Sequence, residues 1–180
     1  MKELSLNILD ITKNSVKAEA KNISIILTED ESGILTLTIT DDGCGMSEDV
    51  LKRVTDPFCT SRTTRKVGLG IPLLKMASEQ TGGRVEIDSE LGVGTTVQAT
   101  FDTGHIDFTP LGDMVSTMTV LIMGSPEIDF VFKHKTPGFE INLDTKELRQ
   151  VLGDVPLSSP EVIAWIGDFL TEQYNLGGQK

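Results

Sequence analysis

The alternating pattern over residues 34–40 places the tightest constraint on what this chain can fold into. Apolar residues at 35, 37 and 39 alternate with threonines at 36, 38 and 40, and a period of two is typical of a strand with one buried face. One further step of the alternation puts Asp41 on the apolar face. A carboxylate there is costly unless a hydrogen-bond donor meets it, so the pattern predicts a polar partner for Asp41.

The first twenty residues predict a helix that is buried on most sides. Apolar residues recur at positions 4, 8, 11 and 18, while Asp10, Asn14 and Lys17 share one narrow polar stripe. Such an apolar helix is buried largely against the rest of the domain. The polar side chains of this stripe therefore need a polar partner to contact.

The remaining patterns predict an α+β fold. Strands are expected near 23–27, 34–40, 84–89 and 95–101, and helices are expected to begin after Ser47 and to span about 70–81, with a polar loop over 56–66 between them. Gly82-Gly83 supplies a helix stop. These elements make up a first domain, residues 1–103.

Residues 104–180 are expected to form a small α+β extension of unknown role, an interface or a partner-binding region. An apolar helix near 111–122 is either core or interface; strands are expected near 128–132 and 139–143, and helices after Asp144 and Ser159. Because about 75 residues make a marginal core on their own, this region is expected to pack on the first part or on a second copy.

The composition narrows the class of partner and the compartment. The net charge of −11 disfavours nucleic acid and acidic membrane surfaces. No apolar run approaches the ~18 residues of a membrane span, and the first residues lack the apolar core of a signal peptide. Two cysteines do not form a disulfide framework. A cytoplasmic location fits these features.

Four short motifs occur in a fixed order along the first domain. They are DITKNSVKA (residues 10–18), DDGCG (41–45), a discontinuous DPF, TSR and GLG set (56–70), and GVGT (92–95). Together they resemble the N, G1, F/G2 and G3 boxes of the GHKL superfamily, which unites gyrase B, heat-shock chaperones, histidine kinases and mismatch-repair ATPases. The resemblance covers residues 1–102 and implies a Bergerat fold: a two-layer α/β sandwich whose mixed sheet is covered on one face by helices.

The resemblance implies ATP and Mg²⁺ as cofactors and assigns roles in the adenine half of the pocket. Asn14 is the expected Mg²⁺ ligand, because its amide oxygen suits a hard cation. Asp41 would accept a hydrogen bond from the adenine amino group, and Gly43 and Gly45 would let the backbone approach the base. Thr95 is expected near adenine. For Gly92 and Gly94, a plain hairpin turn is the alternative.

The same resemblance assigns the phosphate half. Gly68, Leu69 and Gly70 precede a helix, where free backbone N–H groups meet phosphate oxygens. The expected nucleotide-binding residues of the preceding loop are Phe58, Thr60, Arg62 and Lys66. This cationic loop resembles an ATP lid, and a solvated loop is the alternative.

Two positions favour the histidine-kinase branch of the superfamily. Lys17 and the PF…GLGI stretch resemble the kinases, whereas hydrolysing relatives carry a glutamate four residues before the asparagine. Here that position is Asp10, which is either a shortened general base or a residue that orients water around Mg²⁺. We expect no phosphoacceptor helix before the N box, and neither His105 nor His134 is favoured as a phosphoacceptor.

Three functions remain open from the sequence. The first is a kinase-like Mg-ATP-binding signalling protein that regulates or phosphorylates an unidentified protein partner in trans. The second is an ATP-hydrolysing switch that acts as a homodimer, and the third is a non-enzymatic nucleotide sensor. Cys44 and Cys59 lie near the expected nucleotide; small buried residues are favoured over redox sensors.

Overall fold

The computed structural model describes residues 2–55 and 69–178, which contain each helix and strand predicted above; the loop expected over 56–66 lies outside them. The helices are α1 (Leu4–Lys17), α2 (Glu48–Thr55), α3 (Gly70–Gln80), α4 (Met114–Gly124), α5 (Thr145–Leu152) and α6 (Pro160–Leu176), and the strands are β1 (Asn22–Glu29), β2 (Ile34–Asp41), β3 (Val85–Glu90), β4 (Gly94–Asp102), β5 (Asp129–Lys135) and β6 (Glu140–Asp144). The predicted ends differ by a few residues. The helix expected from residue 111 begins at Met114, because the Asp113 side chain accepts a hydrogen bond from the Ser116 N–H and caps it there.

All six strands form one sheet in the order β3-β4-β2-β1-β5-β6. β1 and β5 are parallel, and the other neighbours are antiparallel. The sheet is therefore mixed, and the prediction of an α+β Bergerat sandwich is confirmed. Strands β5 and β6 come from the region after residue 104, so that region packs on the first part and extends its sheet. The division of the chain at residue 103 stays a prediction.

One hydrophobic core lies between the sheet and the helices. Alternate strand residues such as Ile25, Leu37 and Phe132 are fully buried on this side, and α1, α4 and α6 each bury one face against them. Helix α4 contributes Met118 to this core, so its buried face is core and not an interface. Within the described residues, no helix has the length and apolarity needed to cross a bilayer.

The opposite side of the sheet, called the open face below, is exposed or half-buried. Its side chains form three rows, because the strand registers align every second residue across the sheet. Across β3, β4, β2, β1, β5 and β6, the middle row reads Glu86, Gln98, Thr38, Ile26, Lys133 and Asn142. The rows on either side of it carry threonine or serine at every position of β4, β2 and β1.

Helix α1 is held at both ends. Its first turn donates the Leu4 and Ser5 N–H groups to the carbonyls of Pro110 and Leu111, at 2.9 and 2.7 Å, which meets donors that a helix start leaves unpaired. Lys17 is its last residue, and Glu19 beyond it lies in the left-handed region, at φ 60°. At this end the Ala18 carbonyl accepts a hydrogen bond from the Cys44 N–H at 2.8 Å, so the helix is tied to the C-terminal region at its start and to the turn after β2 at its end.

Candidate functional site

Asp41, the last residue of β2, is met by two protein donors. Its Oδ2 accepts a hydrogen bond from Ser15 Oγ at 2.5 Å, and its Oδ1 accepts from the Gly43 N–H at 2.9 Å. The prediction that a polar partner meets this carboxylate is confirmed, although the donors belong to the protein. A carboxylate has about four lone-pair sites, so Asp41 keeps the capacity to accept from a ligand.

Ser15 was not singled out from the sequence. It is 4% exposed and lies on the buried face of α1. The available signal was a hydroxyl four residues after Ile11 and seven after Ile8, that is, on the apolar face of the helix. A polar residue on the apolar face of α1 and another on the apolar face of β2 are best satisfied by each other.

The turn after Asp41 packs directly between α1 and the β3–β4 hairpin. The Cys44 N–H donates to the Ala18 carbonyl at 2.8 Å, and the Cys44 carbonyl accepts from the Gly92 N–H at 2.7 Å. Gly45 has φ +65°, and a Cβ there would lie 2.0 Å from the Glu90 carbonyl oxygen. The glycine thus lets the turn pack on the hairpin, in addition to any approach to a base.

The hairpin brings Thr95 opposite Asp41 in the β2–β4 ladder. The Thr95 hydroxyl lies 2.8 Å from Ser89 Oγ, which also accepts a hydrogen bond from the Met46 N–H at 2.9 Å. Ser89, also not identified from the sequence, therefore links the turn after Asp41 to Thr95. Gly94 is required beside them, because its φ is +146° and a Cβ would lie 2.0 Å from the Asp41 carbonyl oxygen.

The opposite end of the site lies where α1 meets the start of α3. A Cβ on Gly70 would lie 2.7 Å from Asp10 Oδ2, so this carboxylate lies directly against the first residue of α3. Asn7 Nδ2 donates to the Gly70 carbonyl at 3.4 Å. Asp10 and Ser15 are separated by about 7.5 Å along the helix axis. The half-buried Asn14 lies between them on the chain.

The oxygens of Asp10 and Asn14 fit a hard cation. The two residues are half-buried and one helical turn apart, which places their side chains on neighbouring positions of α1. Mg²⁺ takes oxygen ligands and is usually held by one or two protein groups together with phosphates and water. A carboxylate and an amide next to the start of a helix provide such a donor set.

The other residues expected at the site are exposed or lie outside the described ranges. Lys17 is exposed at the end of α1, and Leu69 is 61% exposed just before α3. Cys44 is exposed, so the expectation that it is a small buried residue was wrong. The expected contacts of Phe58, Thr60, Arg62, Lys66 and Gly68, and the position of Cys59, lie outside the described residues.

Comparison with known proteins gives the family. A family model described as "Histidine kinase-, DNA gyrase B-, and HSP90-like ATPase" matches residues 2–105, more than half of the chain. The chain belongs to this ATPase family. It therefore contains an ATP-binding, kinase-like domain, and the resemblance drawn from the four motifs is confirmed.

The relatives include sensor kinases. The chain is 37% identical over 83 residues to the C4-dicarboxylate transport sensor protein DctB of Pseudomonas aeruginosa, a match that covers 46% of this chain and 13% of that protein. It is 31% identical over 102 residues to sporulation kinase E of Bacillus subtilis, covering 56% of this chain and 13% of that kinase. The matched region is thus a small part of either relative.

Solved structures support the fold. The Aquifex aeolicus MutL ATPase domain complexed with ADP superposes with a TM-score of 0.51 at 12% identity, covering 100% of this chain and 98% of that one. The N-terminal domain of a DNA repair protein superposes with a TM-score of 0.54 at 17% identity, covering 86% of this chain and 58% of that one.

Proposed function

We propose that this chain binds ATP with Mg²⁺ between α1, the end of β2, the start of β4 and the start of α3. The observation that carries this proposal is a row of polar groups along α1. At one end Ser15 donates a hydrogen bond to Asp41, and at the other end Asp10 lies against Gly70. The adenine amino group donates to the free lone pairs of Asp41. The phosphates extend along α1 towards the first turn of α3, whose N–H groups attract anions.

In this proposal Asn14 holds Mg²⁺ through its amide oxygen. The ion neutralises phosphate charge when bound. Lys17 contacts phosphate, as the kinase branch implies, and its exposed side chain is free to turn towards the nucleotide. Asp10 orients water around the ion from the phosphate end of the pocket.

We further propose that the domain regulates or phosphorylates a protein partner in trans. His134 supports this choice, since it is 2% exposed and its Nδ1 lies 3.0 Å from the Tyr174 hydroxyl. A buried, hydrogen-bonded imidazole is not accessible to a phosphoryl group. Transfer to this histidine of the same chain is therefore disfavoured.

An ATP-hydrolysing switch is the second candidate, and the position of Asp10 favours it. A carboxylate against the first residue of α3 stands where a helix start receives phosphate. From there it could take a proton from an attacking water.

Purified protein with γ-labelled ATP and Mg²⁺ separates these functions. Release of free phosphate that is lost in Asp10→Asn supports hydrolysis, and label transfer to a captured protein partner supports the kinase. Nucleotide binding with neither outcome supports a sensor. Asp88→Asn, on the exposed open face, is the matched control for the loss of one carboxylate. Absence of nucleotide binding by the wild-type protein would contradict all three.

A further inference from the structure

Helix α6 has one side that faces away from the other helices. Within the described ranges, α3, α1, α4 and α6 form a row across the sheet in which each helix packs on the next, so α6 is the last of the row and lies over the edge strand β6. Gly167 marks the side of α6 towards α4, because a Cβ there would lie 3.7 Å from Thr119 Cγ2. Trp165 is about 160° round the helix from Gly167 and therefore lies on the outer side.

Three apolar side chains form a stripe along this outer side. Phe169 and Leu176 follow Trp165 by four and eleven residues, which keeps all three within about 40° of one another on the helix. Trp165 is 51% exposed and Leu176 is 75% exposed. The rings of Trp165 and Phe169 are stacked, with their centroids 5.4 Å apart and their planes inclined by 8°. Because tryptophan is enriched among the residues that carry binding energy, this apolar stripe is suited to anchor a partner.

A row of acids runs beside the apolar stripe. Glu161, Asp168 and Glu172 are exposed, and they lie within about 40° of one another and about 60° from the stripe. None of them forms an ion pair within the described part of the chain, and α6 contains no lysine or arginine. Charges that flank an apolar seam set partner choice between packed helices. The acidic row therefore favours a cationic partner.

We propose that the outer side of α6 binds an amphipathic helix of a protein partner whose apolar face is flanked by lysine or arginine. The apolar stripe extends over eleven residue steps, about 16 Å, which equals about three turns of a helix lying along it. Apolar side chains of the partner pack on the stripe, and its cations pair with the acidic row. A second copy is disfavoured as the occupant, because its α6 carries the same acids and like charges across an interface cost free energy.

This surface is separate from the proposed ATP site. Helix α4 lies between α6 and α1, and the proposed nucleotide lies along α1. A partner helix on the outer side of α6 therefore leaves the pocket uncovered. Nucleotide affinity and partner binding can be measured independently on the same variants.

Binding of a synthetic helical peptide tests this surface. The probe is a peptide of about five turns with leucine along one face and lysine on both sides of that face, and its matched control carries glutamate in place of each lysine. Trp165 is the single tryptophan of the chain, so its fluorescence reports directly on the apolar stripe. The lysine peptide should change this fluorescence in a saturable way and should bind at least about tenfold more tightly than the glutamate peptide.

A pair of alanine substitutions tests the apolar stripe. Phe169→Ala with Leu176→Ala removes two of its side chains and keeps the Trp165 signal, and the lysine peptide should bind at least about tenfold more weakly. Val120→Ala with Met123→Ala is the control, because both residues are exposed on α4. The control should bind the peptide as the wild-type protein does.

Neutral substitutions test the acidic row. Glu161→Gln with Asp168→Asn and Glu172→Gln keeps the size of each side chain and should also weaken the lysine peptide at least about tenfold. Because these residues are exposed, this variant decides the question even if the alanine pair does not fold. The control removes three exposed acids from β3, at the opposite edge of the sheet: Glu86→Gln, Asp88→Asn and Glu90→Gln.

Weaker peptide binding in both α6 variants and unchanged binding in both controls would support the docking surface. Absence of saturable binding, equal binding of the glutamate peptide, or wild-type binding by either folded α6 variant would overturn it. A wild-type dimer that Phe169→Ala with Leu176→Ala converts to a monomer in sedimentation would also overturn it, because a second copy would then cover the apolar stripe. ADP titration of the same variants keeps this result separate from the proposed ATP site, because their nucleotide affinity should be unchanged.

Discussion

Ser15 should set the direction in which Asp41 accepts a hydrogen bond, and Ser15→Ala tests this role. The substitution removes the donor 2.5 Å from Asp41 Oδ2 and leaves the Gly43 N–H on Oδ1 as the remaining protein donor described. A hydrogen bond to a charged group is worth about 1.5–3 kcal/mol. If about half of this free energy is needed to orient the carboxylate towards adenine, the affinity of the protein for the nucleotide should fall about tenfold.

The assay is titration calorimetry with ADP, which cannot lose a γ-phosphate during the measurement. Ser24→Ala is the matched control, because Ser24 is half-buried on β1 but faces the open side of the sheet. It should bind ADP as the wild-type protein does. Thermal unfolding of both variants shows whether they are folded. A folded Ser15→Ala protein with unchanged ADP affinity would refute the positioning role.

Three further predictions concern stability. Gly94→Ala should lower the free energy of unfolding by at least about 2 kcal/mol, because its Cβ would meet the Asp41 carbonyl; Gly124→Ala, with nothing within 4 Å, should change it far less. Glu19→Gly should raise the free energy of unfolding by about 1 kcal/mol or less, because glycine adopts the left-handed conformation of this position without strain. An unchanged or lower free energy of unfolding in denaturant titration would contradict this. Burial lowers the pKa of His134 from 6.5 to about 4. The contribution of the neutral imidazole to the free energy of unfolding should therefore be complete above pH 6.5 and should decline by about 3 kcal/mol as the pH falls towards 4. Unfolding curves of His134→Gln, measured over this pH range, should lack that part of the decline.

The individual helices and strands were predictable because each depends on a pattern of residues that are close together in the sequence. Alternation identified β2, and the Gly82-Gly83 stop placed the end of α3 within one residue of its observed end at Gln80. The pairing of β5 alongside β1 was not predictable, since alternation states which face of a strand is buried but not which strand lies beside it. The continuous sheet across residue 104 depends on that non-local contact.

The motif residues of the candidate site could be predicted from the sequence, but the residues that hydrogen-bond to them could not. The resemblance named Asp41 and Thr95, but Ser15 and Ser89, which hydrogen-bond to them, were missed. Both serines act through partners that are distant in sequence. A polar residue on a predicted apolar face was the only local signal, and it points to a partner without identifying it.

The affinity of the wild-type protein and of Asp41→Asn for Mg-ATP, measured by calorimetry, tests the central claim most directly. Asparagine keeps the shape of the side chain, but it removes the charge and can direct an amide donor at positions where Ser15 and Gly43 donate and where the adenine amino group is proposed to donate. The account predicts that the wild-type protein binds and that Asp41→Asn binds at least about tenfold more weakly. An unchanged affinity in Asp41→Asn, or no binding by the wild-type protein, would contradict it.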